Sequence, residues 1–168
     1  MTTDSVQYHP LPQPDEVPVR EREDAMGAYL MMFASVAAGL PLPIINLIAS
    51  IIYYYINKSA SRFVHFHALQ SLYSQIPTSL INAGLVFWTV RIFFFKQLEV
   101  TPEYKGYIAM AVIANLLYFI FSLIAAVKAR KGYFYYFLFF GKVAYQRVYM
   151  VKPDEENVTP PVNKPPIQ

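Results

Sequence analysis

Apolar positions run through this chain in long blocks. Residues 25–57, 63–90 and 107–127 contain no Asp, Glu, Lys or Arg. A helix needs about 20 apolar residues to cross a bilayer, so the second and third blocks each predict one membrane-spanning helix. The first block is too long for one span and too short for two. As a straight helix it would reach about 50 Å, against a hydrocarbon core of about 30 Å. Its centre reads Gly39-Leu40-Pro41-Leu42-Pro43. Two prolines remove two backbone donors and disfavour helix for the residues before them. Two short helices are expected, over 27–39 and 44–57, forming either a re-entrant hairpin or one kinked span.

The second helix should begin near Ser59–Ser61, where a hydroxyl can cap it. Phe66, Leu69, Tyr73, Ile76 and Leu80 fall on one face, and His67, Ser71, Ser74, Thr78 and Asn82 on the other. A polar stripe in a bilayer turns away from lipid, towards other helices or a wet cavity. It therefore reads as helix-to-helix glue or as a pore lining. Pro77 frees the carbonyl of Tyr73 and predicts a kink. Trp88 and Arg91 mark the far headgroup level. In the third helix, over 103–130, Ala111, Asn115, Tyr118, Ser122, Ala125 and Ala129 share one face, a spacing suited to close packing in lipid. Lys128, Arg130 and Lys131 should stop it at a surface. The run 133–140 that follows is aromatic and too short to span, and is expected to lie in the interface.

Composition agrees with this reading. The chain is 55% hydrophobic and only 15% charged, where soluble domains carry roughly 25% charge. The expected fold class is all-α, a polytopic membrane helix bundle. It has two full spans, a Pro-broken N-terminal hairpin or kinked span, and a C-terminal interfacial aromatic segment. Residues 1–24 and 152–168, rich in proline, are expected as disordered tails flanking a membrane domain over 25–151. No cleavable signal is expected, the first membrane segment serving as the targeting signal.

The net charge of +3 does not point to nucleic acid, because the basic residues flank apolar blocks and form no stripe on a soluble face. A hairpin would gather Arg20, Arg22, Lys58, Arg62 and the basic residues from Lys128 to Lys152 on one side. Arg91, Lys96 and Lys105 remain on the other. A single span would move the N-terminal tail across. Both versions put the 57–67 loop and the C-terminus in the cytoplasm of a bacterial inner membrane, the hairpin with the stronger bias.

Catalytic chemistry has no candidate residues. The absence of cysteine excludes disulfides and thiolate sites. His65 and His67 diverge on a helix and cannot chelate one metal. The apolar blocks hold no carboxylate for proton coupling. No enzyme activity, cofactor or metal is expected. The expected partners are membrane lipid and a homo- or hetero-oligomeric membrane partner.

The segment 62–72, RFVHFHALQSL, followed by Gln75-Ile76, resembles the signature of the Tic-twenty-like superfamily, with Arg62, Phe63, Phe66, His67 and Gln70 as its block. The helix end 124–132, IAAVKARKG, followed by aromatics, is similar to a second family block. That superfamily contains the twenty-kilodalton membrane subunit of the chloroplast inner-envelope import translocon and a bacterial set of small membrane proteins. The resemblance implies a membrane scaffold or a subunit for protein insertion or translocation. A small channel lined by the polar stripe is the alternative. On the residues alone, His67 and Gln70 should turn inward to bond the backbone exposed at the Pro41–Pro43 break.

Overall fold

A computed structural model describes residues 7–37, 43–95 and 99–151. Helix α1 (Val19–Leu30) continues through a 3-10 turn (Met31–Phe33) into α2 (Ala34–Ala37). Helix α3 (Pro43–Asn57) follows, then α4 (Arg62–Phe93), α5 (Pro102–Arg130) and α6 (Leu138–Tyr149). No named strand occurs among the described residues. One isolated bridge pairs Tyr8 with Met150.

The first apolar block folds back on itself. Helix α3 packs against α2, the 3-10 turn and α1. The Tyr53 hydroxyl, near the end of α3, donates to the carbonyl of Asp24, near the start of α1, at 2.7 Å. The two ends of the hairpin therefore meet. At 1.5 Å per residue α3 is about 22 Å long, short of the hydrocarbon thickness. The expected break at Gly39–Leu42 lies outside the described residues; Pro43 opens α3, a position where its missing N–H costs nothing.

Local chemistry sets the ends of the long helices. The Ser61 hydroxyl accepts from the Val64 amide at 3.2 Å, the expected cap of α4. The Thr101 hydroxyl accepts from the Tyr104 amide at 3.3 Å, with Pro102 as the first residue of α5. Beyond Arg130 the helix gives way to a turn at Gly132, whose φ of +81° favours glycine. There the Tyr133 amide closes the turn onto the carbonyl of Lys128 at 3.0 Å. A Cβ on Gly132 would also meet the Pro14 carbonyl oxygen at 2.7 Å.

Two sequence expectations change here. Residues 7–24, expected as a solvated tail, are partly helix and partly a strap across one end of the bundle. Val17 is buried, Arg22 Nε donates to its carbonyl, and Glu23 pairs with Arg130 at 2.9 Å. Charge marked this stretch as solvated, but Glu and Arg are also good helix formers. The second change concerns 133–137. Instead of lying across the end, this extended arm runs along α4, with Phe134 against Phe63 and Phe66 and Phe137 against Tyr118 and Phe121. Helix α6 then returns along α4, bringing Val148 and Tyr149 to Phe66 and Leu69. The expected tail 152–168 lies outside the described residues.

Helix α4 is the axis of the fold, touching α1, α3, α5 and α6. Both α4 and α5 are long and apolar enough to cross a membrane, and only 17% of the apolar window of each is buried. The core helix of a water-soluble protein hides most of such a window. Here Leu80, Phe87, Val112, Ile113 and Leu116 point outwards. Lipid is the medium in which that exposure carries no cost.

Candidate functional site

The polar face of α4 holds two clusters. The first lies near its start. His67 and Gln70 turn inward, as expected, and both are fully buried. Their partners differ from the expectation. Gln70 Nε2 donates to the Tyr29 hydroxyl at 2.6 Å and to the Tyr135 carbonyl at 2.9 Å, and its Oε1 accepts from the Phe137 amide at 3.1 Å. One carboxamide thus serves a carbonyl and an amide of the extended arm, as a neighbouring strand would. Irregular backbone at membrane depth needs such protein partners. The arm at the far end of the chain takes the role that the proline break was expected to fill.

Tyr29 completes the cluster, its hydroxyl lying 2.9 Å from His67 Nδ1. The Tyr29 oxygen accepts from Gln70 and also exchanges a hydrogen bond with Nδ1, in a direction set by the histidine tautomer; the other ring nitrogen is Nε2. That nitrogen has no polar partner and lies among Phe63, Phe66 and Phe134. Arg62, the other polar residue of the block, is at the exposed rim, with its guanidinium 3.1 Å from His9 Nε2. His65 faces Tyr54, at 3.2 Å. The two histidines of α4 therefore have separate neighbours. No group of three or more metal-ligating side chains occurs among the described residues.

The second cluster lies deeper. Ser71 donates to the Ala28 carbonyl at 2.8 Å, tying α4 to α1. Ser74 and Thr78 donate to carbonyls of their own helix, at 2.9 and 3.5 Å. Asn82 and Asn115 exchange two hydrogen bonds, at 2.9 and 2.7 Å, joining α4 to α5. Gln75 was read as part of the sequence block but not as a site residue. Its Oε1 accepts from Ser50 of α3 and, at 3.3 Å, from Tyr118 of α5. The available signal was its position, four residues after Ser71 on the same face.

Thr78 and Asn82 open onto a cavity of about 410 Å³ between α3, α4 and α5. Asn46, Gln75, Ser79, Asn115 and Tyr118 supply its other polar groups; Met32, Phe33 and Phe119 supply apolar wall. His67, Ser71 and Ser74 are buried in helix contacts and do not line it. The five-residue stripe is thus divided between glue and cavity. The cavity's polar groups are neutral amides and hydroxyls, which exchange hydrogen bonds with a polar solute or side chain but carry no charge to it.

Residues 21–143 match the MamF/MmsF model, the magnetosome magnetite crystal formation protein family. Comparison with curated proteins and with solved structures gives no match. The matched region takes in the N-terminal hairpin, both long helices and the aromatic arm. It replaces the Tic-twenty-like resemblance, and the translocation role drawn from that resemblance goes with it. The block Arg62, Phe63, Phe66, His67 and Gln70 misled because packing alone accounts for most of it. Two aromatics hold Phe134, and a carboxamide binds exposed backbone. The apolar, outward-facing α4 and α5 and the family match together make this a membrane protein. The chain belongs to the MamF/MmsF family of magnetosome magnetite crystal formation proteins.

Proposed function

We propose that this protein acts in magnetite crystal formation as a non-enzymatic structural subunit of the magnetosome membrane. The family match over 21–143 carries the reading. In this proposal α4 and α5 cross the bilayer, and the N-terminal hairpin and the arm with α6 enter it only partway. Arg20, Arg22, Lys58, Arg62, Lys128, Arg130, Lys131, Lys142 and Arg147 then face the cytoplasm together. The 94–101 loop faces the compartment in which the crystal grows. Exposed apolar surface along α4 and α5 meets lipid or a homo- or hetero-oligomeric partner. The subunit would act by shaping the membrane wall around the mineral.

Deletion of the gene from a magnetite-forming host is the test, with crystal dimensions measured by electron microscopy. Altered crystal size, restored by the wild-type gene, is expected. Unchanged crystals, or a protein missing from purified magnetosomes, would count against the role. Orientation has its own check, because the chain has no cysteine. A single cysteine at Thr101 should resist a membrane-impermeant thiol reagent in intact magnetosomes, and one at Asn57 should react.

The cavity beside Asn82 and Asn115 favours a second reading, a passage for a small polar solute. Flux through reconstituted liposomes that is lost on T78L and N82L would support it.

A further inference from the structure

The surface between α4 and α6 carries a groove that the role in magnetite formation does not use. It has two adjoining compartments of about 420 and about 410 Å³, which share Tyr73 and Val143. The apolar one is lined by Ile76, Pro77, Leu80, Phe139 and Phe140. Apart from the Tyr73 hydroxyl, its side chains carry no polar group. The more polar one is lined by Gln146, Arg147 and Met150, with Tyr73 at the junction. Arg147 is exposed, faces Tyr54, and makes no ion pair among the described residues.

We propose that this groove seats one anionic phospholipid of the surrounding bilayer. An acyl chain lies in the apolar compartment, and the phosphate sits on Arg147. The polarity is graded in the direction a lipid requires. From Leu80 towards Tyr73 the groove follows α4 back towards its charged end, and Arg147 stands where the apolar lining stops. Guanidinium matches phosphate with two parallel hydrogen bonds, and the Gln146 amide supplies a further donor. Arg147 is an exposed cation at the edge of an apolar surface, where a headgroup phosphate complements it. Each compartment is within the size range of small-molecule sites. A free phosphate would satisfy Arg147 alone and leave the apolar compartment unfilled, so the lipid is the occupant that uses both halves. The inference rests on residence in a membrane and stands or falls separately from any part in mineral growth.

The full-length protein in nanodiscs of mixed phosphatidylglycerol and phosphatidylcholine provides the test. Native mass spectrometry after ejection from the disc reads the lipid retained. The wild type should keep about one phosphatidylglycerol per chain in preference to phosphatidylcholine. R147Q should reduce that preference about tenfold, the loss expected for one charge-assisted contact. R147K should fall between the two, since it keeps the charge and loses the fork. V143W, which fills the junction of the compartments, should reduce retention of both lipids. K142Q, outside the groove lining, should behave as wild type. Helix content by circular dichroism separates lost binding from lost fold. Equal retention of the two lipids by the wild type would overturn the proposal. So would a folded R147Q protein with unchanged preference, or release of the lipid by inorganic phosphate with no dependence on V143W.

Discussion

The two halves of α4 have the same kind of sequence and different surroundings. Between Phe63 and Gln75 nearly every side chain is buried, and α1, α3, α6 and the 133–137 arm surround the helix. Beyond Gln75 only Ser79 and Ile92 are buried. Both halves carry polar residues, but these bond differently. In the first half Gln70 and Ser71 serve backbone outside their own helix. In the second, Asn82 pairs with Asn115, Thr89 with Tyr104, and the Tyr107 hydroxyl with the Ile81 carbonyl at 2.9 Å. The extended arm needs its backbone satisfied by a neighbour, and the first half of α4 provides it. The second half only has to hold one regular helix against another. Stability should therefore concentrate at the charged end, whatever the hydropathy along the helix.

Gln70→Leu should break that arrangement most severely. It strands the Tyr135 carbonyl and the Phe137 amide in an apolar setting and removes a donor from Tyr29. A loss of about 3 kcal/mol is expected, each orphaned buried group costing about 1–3 kcal/mol. Unfolding in mixed micelles, followed by circular dichroism, would measure it. An effect no larger than that of a Leu substitution at Asn82 would erase the distinction between the halves.

Gly141→Ala attacks the same contact from α6. A Cβ there would meet Gln70 Oε1 at 2.6 Å and the Tyr136 Cα, also at 2.6 Å. The second neighbour is backbone and cannot rotate away. The cost should be about 2 kcal/mol, the usual scale for overpacking. Combined with Gln70→Leu it should cost less than the sum, because the Oε1 clash is gone. Full additivity would mean that the arm is held elsewhere.

Much of the regular structure was legible because helix signals are local. The Ser61 cap, the inward side of α4 and the small-residue face of α5 all follow from spacing, while the first block left a hairpin and a kinked span both open. The arm was not legible. Its partner, Gln70, lies 65 residues before Tyr135, and an aromatic run reads equally well as interfacial or inserted. Inward orientation of His67 and Gln70 was readable, but the stripe could not say which backbone they would meet. The start of α1 was hidden for the opposite reason. Arg20 to Asp24 look solvated by charge, and only tertiary contact with Arg130 and Tyr53 shows them as part of the bundle. At the site, Thr78 and Asn82 reach the cavity, whereas Ser74 is buried away from it, and periodicity does not report the difference.

Asn82→Leu sharpens the comparison from the other side. It leaves Asn115 with one bond, to the Ala111 carbonyl at 2.7 Å. Interhelical hydrogen bonds in membranes average about 0.6 kcal/mol, so a loss of about 1 kcal/mol or less is expected. The double variant with Asn115→Leu should restore part of it, since both partners then become apolar. A loss above that of Gln70→Leu would shift the centre of stability to the exposed half.

The smallest effect should come from the charged rim itself. Arg130 and Glu23 meet at 2.9 Å, yet about half of each side chain is open to solvent, at 44% and 51% exposure. Exposed pairs contribute about 0–1 kcal/mol, because water screens them and ordering two long side chains costs entropy. Arg130→Ala should therefore lower stability by about 0.5 kcal/mol. Part of that belongs to the helix end, where a cation in the last turn of α5 favours the dipole. A double-mutant cycle with Glu23→Ala separates the two, and 0.5 M salt should abolish the pair's share, since the screening length is then only a few ångströms. The result bears on what makes the proximal half strong. If the pair is weak, as expected, that strength comes from buried hydrogen bonds to the arm and from aromatic packing, and not from the density of charge at that end. A coupling energy near that of the Gln70 contacts, surviving in salt, would show instead that the strap and α1 are held by their ion pair, and the contrast between the two halves of α4 would have to be redrawn around it.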